Sequence, residues 1–241
     1  FVAADPAHAA ILRECRGLIF HRDGTVARRA FHKFFNVGET AETAVERLQG
    51  MVPAVIMEKL DGSMVAPFLW PDTNDVYWAT MRGAPGYHAM LDKRFAGTAH
   101  EALVRAADEE GMTAIFEYCA PQNQIVVLYG APRLALIAMR NRTDGQYATH
   151  EALSSWADRF GVPLVAQYPA QATSLEGLIG EVRQVQQREG VVIRYADGTL
   201  AKLKGAWYLQ LHKLLANFHF EKDVANLILS NNQDDLYGIL N

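Results

Sequence analysis

The sequence is poor in cysteine, has no surplus of positive charge, and contains no apolar stretch long enough to cross a bilayer. Two cysteines, Cys15 and Cys119, lie far apart with no metal-ligand spacing, which excludes a disulfide framework and a zinc cluster and makes a reducing cytoplasm the default. The longest apolar runs, "IVVLY" and "LALIAM", have the length of buried strands. Formal net charge is −4, so bulk charge does not advertise a nucleic-acid binder. Repeats, low-complexity tracts and Gly/Ser linkers are missing too, as is a basic, Ser-rich or signal-like leader. The first residue is Phe1 rather than Met, and the native start is expected upstream or processed.

What is present is an ordinary globular composition, 50% hydrophobic and 21% charged over 241 residues, enough for one large domain or two small ones. "RGLIF", Asp23-Gly24 and "TVARRAF" predict a β-hairpin. A helix is expected over 40–49, with Thr43 and Glu46 in capping-box spacing and Gly50 as its stop. "AVIMEKL", Asp61-Gly62, "SMVAPFLW", "PDTND" and "VYWATMRG" predict an antiparallel meander. Helices are expected over 98–110, 149–160 and 174–187, strands at "TAIFEYC" and "RLALIAMRN", and a last hairpin at "GVVIRY", "ADG" and "TLAKLKG". Helical material follows from 206. The fold class is α+β, mostly antiparallel sheets flanked by helices.

The chemistry centres on "EKLDG". A lysine before a tight turn becomes a nucleophile when burial or neighbouring cations lower its pKa from about 10.4. Taken alone, Lys59 is more economically a hairpin lysine reaching water. Further along, "EGVVI" sets Glu189 before a buried strand, and "KLK" puts Lys202 and Lys204 on one face of another. Two like charges side by side are destabilising unless an anion sits between them, and a phosphate is the natural guest. A solvent-facing edge strand is the alternative for that pair.

K-x-D-G, a Glu on a strand, E-G-V-V-I and K-x-K, in this order, resemble the covalent nucleotidyltransferases, the superfamily of ATP-dependent ligases and capping enzymes. "CRGLIF", "RRAFHKFFNVGE", "IFEYCAPQNQIVVLYG" and "KLKGAWYLQLHK" narrow the resemblance to the RNA ligase 1 family of T-even phages, over about residues 13–213. That resemblance implies a nucleotidyltransferase (ATP-grasp-like ligase) domain over 1–205, followed by a helical C-terminal segment, 206–241. It implies Lys59 as the residue that carries AMP, with Glu189, Lys202 and Lys204 as its catalytic company. Arg16, Lys33, Phe35, Glu58, Gly62, Arg82, Glu117 and Tyr208 fall on the family's nucleotide-binding positions. Arg82 stands where the family usually has Lys, which keeps charge but changes geometry. Phe35 reads equally as core, Glu117 as a solvent-facing strand residue and Tyr208 as helix packing. Glu189 and Glu117 are the expected magnesium (or manganese) ligands, acting through water.

The implied reaction is ATP-dependent joining of an RNA 3′-hydroxyl to a 5′-phosphate, on single-stranded RNA or a broken tRNA loop. The reading includes RNA repair, a monomer with no membrane association, and the cytoplasm of a bacterium or a phage-infected cell. Other polynucleotide ligases and capping enzymes usually carry an oligonucleotide-binding barrel after K-x-K, and 37 residues follow Lys204 here, too few for one. A binding module that has lost catalysis is the alternative from another class. Six basic residues, Arg16, Lys33, Lys59, Arg82, Lys202 and Lys204, would point into one cleft, so their placement rather than the net charge decides.

Overall fold

The computed structural model describes residues 6–81, 85–170 and 172–217. Helix α1 (Pro6–Glu14) precedes the hairpin of β1 (Ile19–Phe20) and β2 (Val26–Arg28), which turns where Asp23 accepts the Thr25 N–H and Gly24 takes φ 87°. After β3 (Phe35–Asn36) the expected helix over 40–49 is broken in two. Thr40 and Thr43 cap a single 3₁₀ turn, and Ala44, at φ −58° and ψ 141°, separates it from the short α2 (Val45–Gln49).

Strands β4 (Pro53–Lys59), β5 (Ser63–Val65), β6 (Phe68–Leu69) and β7 (Val76–Tyr77) lead to α3 (Pro85–Phe95), an element absent from the sequence reading, as α1 was. Then come α4 (Ala99–Glu109), β8 (Met112–Cys119), β9 (Arg133–Asn141), α5 (His150–Phe160) and α6 (Leu175–Arg183), the last shorter than expected. Thr149 and Ser174 cap α5 and α6 by accepting the N–H groups of Ala152 and Gly177. The last described elements are β10 (Gly190–Tyr195), β11 (Leu200–Lys204) and α7 (Ala206–Asn217).

Two sheets organise the chain. One has the order β3-β11-β10-β4 and the other β5-β8-β9, with β1-β2 and β6-β7 as separate hairpins. All pairings are antiparallel except β3 with β11. The expected meander through Asp61-Gly62 is therefore corrected: β4 and β5 do not pair, and the chain crosses from one sheet to the other at that turn.

Period-2 alternation on β10 explains the layers. Val191 and Ile193 pack outward on Leu48, Leu178 and Val182 of α2 and α6. Val192 points inward, toward Phe31, Phe34, Met57 and Val165 between the sheets. The outer face of β8-β9 is covered by Leu103 of α4 and Leu153 of α5, around the fully buried Trp78 and Phe116. Burying each of these larger side chains is worth about 1.5–3 kcal/mol. The helices fix the outer faces and leave the inner ones to line a cavity.

Candidate active site

Strand β10 is the middle of the four-stranded sheet where three key residues meet. Gly190 is paired with Lys59 of β4 on one side and Lys204 of β11 on the other. At φ 147° it lies in backbone space that favours glycine, and a Cβ there would overlap the Leu203 carbonyl. Glu189, just before it, is 3% exposed and bridges both lysines: Lys59 Nζ lies 2.7 Å from Oε2 and Lys204 Nζ 2.9 Å from Oε1. The Glu-Gly pair thus places one carboxylate between two ammonium groups on the two strands that flank β10.

Lys202 shares a face with Lys204, as the strand period requires, but no ion pair among the described residues includes it. Its ammonium lies 4.6 Å from the Phe34 ring centroid. Burial, followed by the charges of Lys33, Lys59, Arg16 and Lys204, lowers its pKa to about 8. This is the like-charge crowding an anion would relieve.

Between the sheets lies a cavity of about 470 Å³. Lys59, Lys202, Arg16 and Glu117 bring charge to its lining, while Met57, Ile137, Val165 and Val192 make an apolar wall. A volume of that size, with mixed walls, suits a small organic anion with an apolar moiety. Arg16 reaches it from the segment after α1, touching Met81, and burial lowers its pKa against the pull of Glu117.

Glu117 stands on β8 opposite Met64 of β5. Burial raises its carboxyl to about 7, opposed by Lys59 and reinforced by Glu189, and it accepts the Gly62 N–H. Gly62 has no room for a side chain, because a Cβ would run into the Tyr118 carbonyl and the Cys119 sulfur. A buried Glu117 whose ionisation Glu189 opposes fits a hydrated divalent cation held near both carboxylates. Among the described residues, however, no three acidic, histidine or cysteine side chains gather into a metal cage.

Other expected residues are placed differently. Phe35 does not line the cavity; its ring is flanked by Arg13 and Lys33 at 5.0 and 5.1 Å, and Phe34 faces the cavity instead. Lys33 is not in the lining either, and contributes charge near Lys202. Glu58 borders the cavity, but its carboxylate lies 3.8 Å from Arg188. Arg82 lies outside the described residues.

Tyr208 is 2% exposed on α7 and reaches the turn rather than the cavity, donating to Asp61 Oδ1 at 2.8 Å. Asp61 went unassigned in the sequence reading, although it stands inside the motif. Its Oδ2 accepts the N–H groups of Val126 and Val127, both at 2.8 Å, and its own N–H donates to Tyr129 Oη at 3.0 Å. One buried carboxylate therefore ties α7 and the segment after β8 to the turn that follows Lys59. Four partners crowd it, so a short turn residue was a legible candidate for an anchor, but its partners are 65 and 147 positions away in sequence.

Comparison with known proteins gives a consistent picture. A family profile described as RNA ligase matches residues 14–221. A putative RNA ligase of Thermovibrio ammonificans is 32% identical over 247 residues, covering 94% of this chain and 60% of the relative. RNA ligase 1 of bacteriophage TS2126 is 30% identical over 242 residues, covering 95% of this chain and 58% of the relative. The chain thus spans about three fifths of the length of these two relatives. Among solved structures, an archaeal ATP-dependent RNA ligase superposes with a TM-score of 0.62 at 15% identity, over 88% of this chain and 59% of that one. A mutant Naegleria gruberi RNA ligase with ATP and Mn gives 0.56 at 17% identity, over 75% and 57%. At such identities these two likenesses establish the fold alone.

Proposed function

The chain belongs to the RNA ligase family, and from that premise we propose that it is an ATP-dependent RNA ligase working through a lysyl-AMP intermediate on Lys59. The observation that carries this reading is the bridge of Glu189 between Lys59 and Lys204 beside a cavity lined by further cations. The Naegleria relative, solved with ATP and Mn, supports ATP and a divalent ion as the ligands.

In the resting arrangement Lys59 is ion-paired, and its amine attacks only once it has left Glu189 and lost a proton to solvent. Its nitrogen then bonds to the α-phosphorus of ATP as the bond to the pyrophosphate oxygen breaks. In the second step an RNA 5′-phosphate oxygen takes the adenylate, the phosphorus–nitrogen bond breaks, and Lys59 regains its proton. In the third step a 3′-hydroxyl oxygen bonds to the RNA 5′-phosphorus and gives its proton to solvent, while the bond from that phosphorus to the bridging oxygen breaks and AMP leaves. Lys202, Lys204 and Arg16 supply fixed positive charge to the phosphoryl oxygens throughout, and Met57, Val165 and Val192 exclude water around the base. Glu189 and Glu117 would hold the divalent ion through its waters, and that ion, when bound, neutralises polyphosphate charge.

The reading extends to RNA with 5′-phosphate and 3′-hydroxyl ends, single-stranded or in a broken tRNA loop, and to a repair role in the cytoplasm by a monomer. Incubation with ATP, a divalent metal and a 5′-phosphorylated single-stranded RNA tests the substrate class. Circular RNA or an adenylylated 5′ end is expected. An RNA left unchanged by a chain that does become adenylylated would reject this substrate class.

A further inference from the structure

Arg28 is a buried cation without a counter-ion. It sits on β2 at 1% exposure, and none of the ion pairs among the described residues includes it. Nη2 donates to the Thr80 carbonyl at 3.1 Å, and Nε has no partner. Burial lowers its pKa only to about 10, so it keeps its charge at neutral pH. An unpaired buried guanidinium is expensive, and a carboxylate is what ordinarily compensates it.

Its position names the anion it faces. Thr80 lines the cavity, and so does Arg16. Gly17, next to Arg16 in the chain, has φ +73° and packs so closely that a Cβ there would lie 3.2 Å from Arg28 Nη2. Arg28 therefore stands behind the part of the wall that Arg16 and Thr80 contribute. The guanidinium is shielded from water and cannot touch a ligand, but its field acts across that wall at low dielectric.

We propose that Arg28 is a positioning residue for the nucleotide's phosphates: from behind the wall formed by Arg16 and Thr80, its unpaired charge selects a polyphosphate over an uncharged nucleoside. This rests on the reading that the cavity takes ATP. A unit charge about 10 Å from a phosphate at an effective dielectric near 20 changes affinity by about tenfold, and more charge on the ligand enlarges the effect.

The test compares binding of ATP, AMP and adenosine to the full wild-type chain, to Arg28→Met and to Arg28→Lys, by calorimetry with competition for the weak ligands. Arg28→Met should lose about tenfold in ATP affinity, less for AMP and nothing for adenosine, with a melting temperature no lower than wild type. Arg28→Lys, which keeps the charge and loses the fork, should stay within about threefold for ATP. An equal loss for ATP and adenosine, or none for ATP, would overturn the proposal by showing that Arg28 shapes the wall or does nothing. Should Arg28→Met not fold, a loss beyond threefold in Arg28→Lys would do the same. A wild type that binds adenosine but shows no preference for ATP would instead remove the ligase reading on which this rests.

Discussion

Glu189 holds two lysines at once, and its removal would leave two partly buried ammonium groups facing each other. The same logic makes Lys202 a pH-sensitive member of the site, beside Glu117. The lysine's folded pKa, about 8, lies below the ordinary 10.5, so between those values the folded chain lacks a proton that the unfolded chain keeps. Stability from this group therefore rises with pH across about 8 to 10.5, and below 8 the full cost of holding it charged is present. A bound polyphosphate would reverse that shift. ATP binding near pH 8 is accordingly expected to take up protons, and affinity to weaken above it. Calorimetry in buffers of differing ionisation enthalpy measures this, and a proton count of zero near pH 8 would contradict the crowding. Tyr208 makes the other residue-scale prediction. Tyr208→Phe leaves Asp61 Oδ1 buried without its donor, which should lower stability by about 1–3 kcal/mol in denaturant titration. It should slow lysine adenylylation through a loosened turn while leaving ATP affinity near wild type. A large loss of ATP affinity would instead place the tyrosine against the nucleotide.

At the scale of elements, the crossing at Asp61-Gly62 matters more than any single strand. The sequence signal for a turn was sound, because Asp-Gly does end β4; what it could not say was which sheet the next strand joins. That choice is made by β8 and β10, which claim β5 and β4 from far along the chain. Long-range pairing is invisible to local alternation, and the meander failed for that reason. Most strands, though not β3, and the E-G and K-x-K spacing were legible, since period-2 patterning and a glycine forced by close backbone approach leave marks in a few residues. Phe34 and Phe35 were not separable, because both are buried and only the register of β3 against β11 decides which one faces inward. Gly62 tests the crossing directly. Gly62→Ala drives a methyl into the Tyr118 carbonyl, so it should cost about 1–3 kcal/mol in unfolding free energy and abolish adenylylation. Full activity in that variant would mean that the turn is laxer than drawn.

For the whole molecule, a net charge of −4 coexists with a cavity ringed by Lys59, Lys202 and Arg16, backed by Arg28. Bulk charge reports solubility and says little about a focused site. The four-stranded sheet supplies Lys59, Lys202 and Lys204, the three-stranded sheet supplies Glu117, and the cavity exists only because the two sheets face each other with their helices outside. In the proposed function all of it serves one event, the bonding of an adenylate to Lys59. The most direct measurement is intact-mass and peptide mass spectrometry of the chain after exposure to ATP and a divalent metal, beside Lys59→Ala. The account predicts a mass gain of one adenylate, mapped to Lys59 and absent from the variant. An adduct of the same size in Lys59→Ala, or one mapped to another residue, would contradict it.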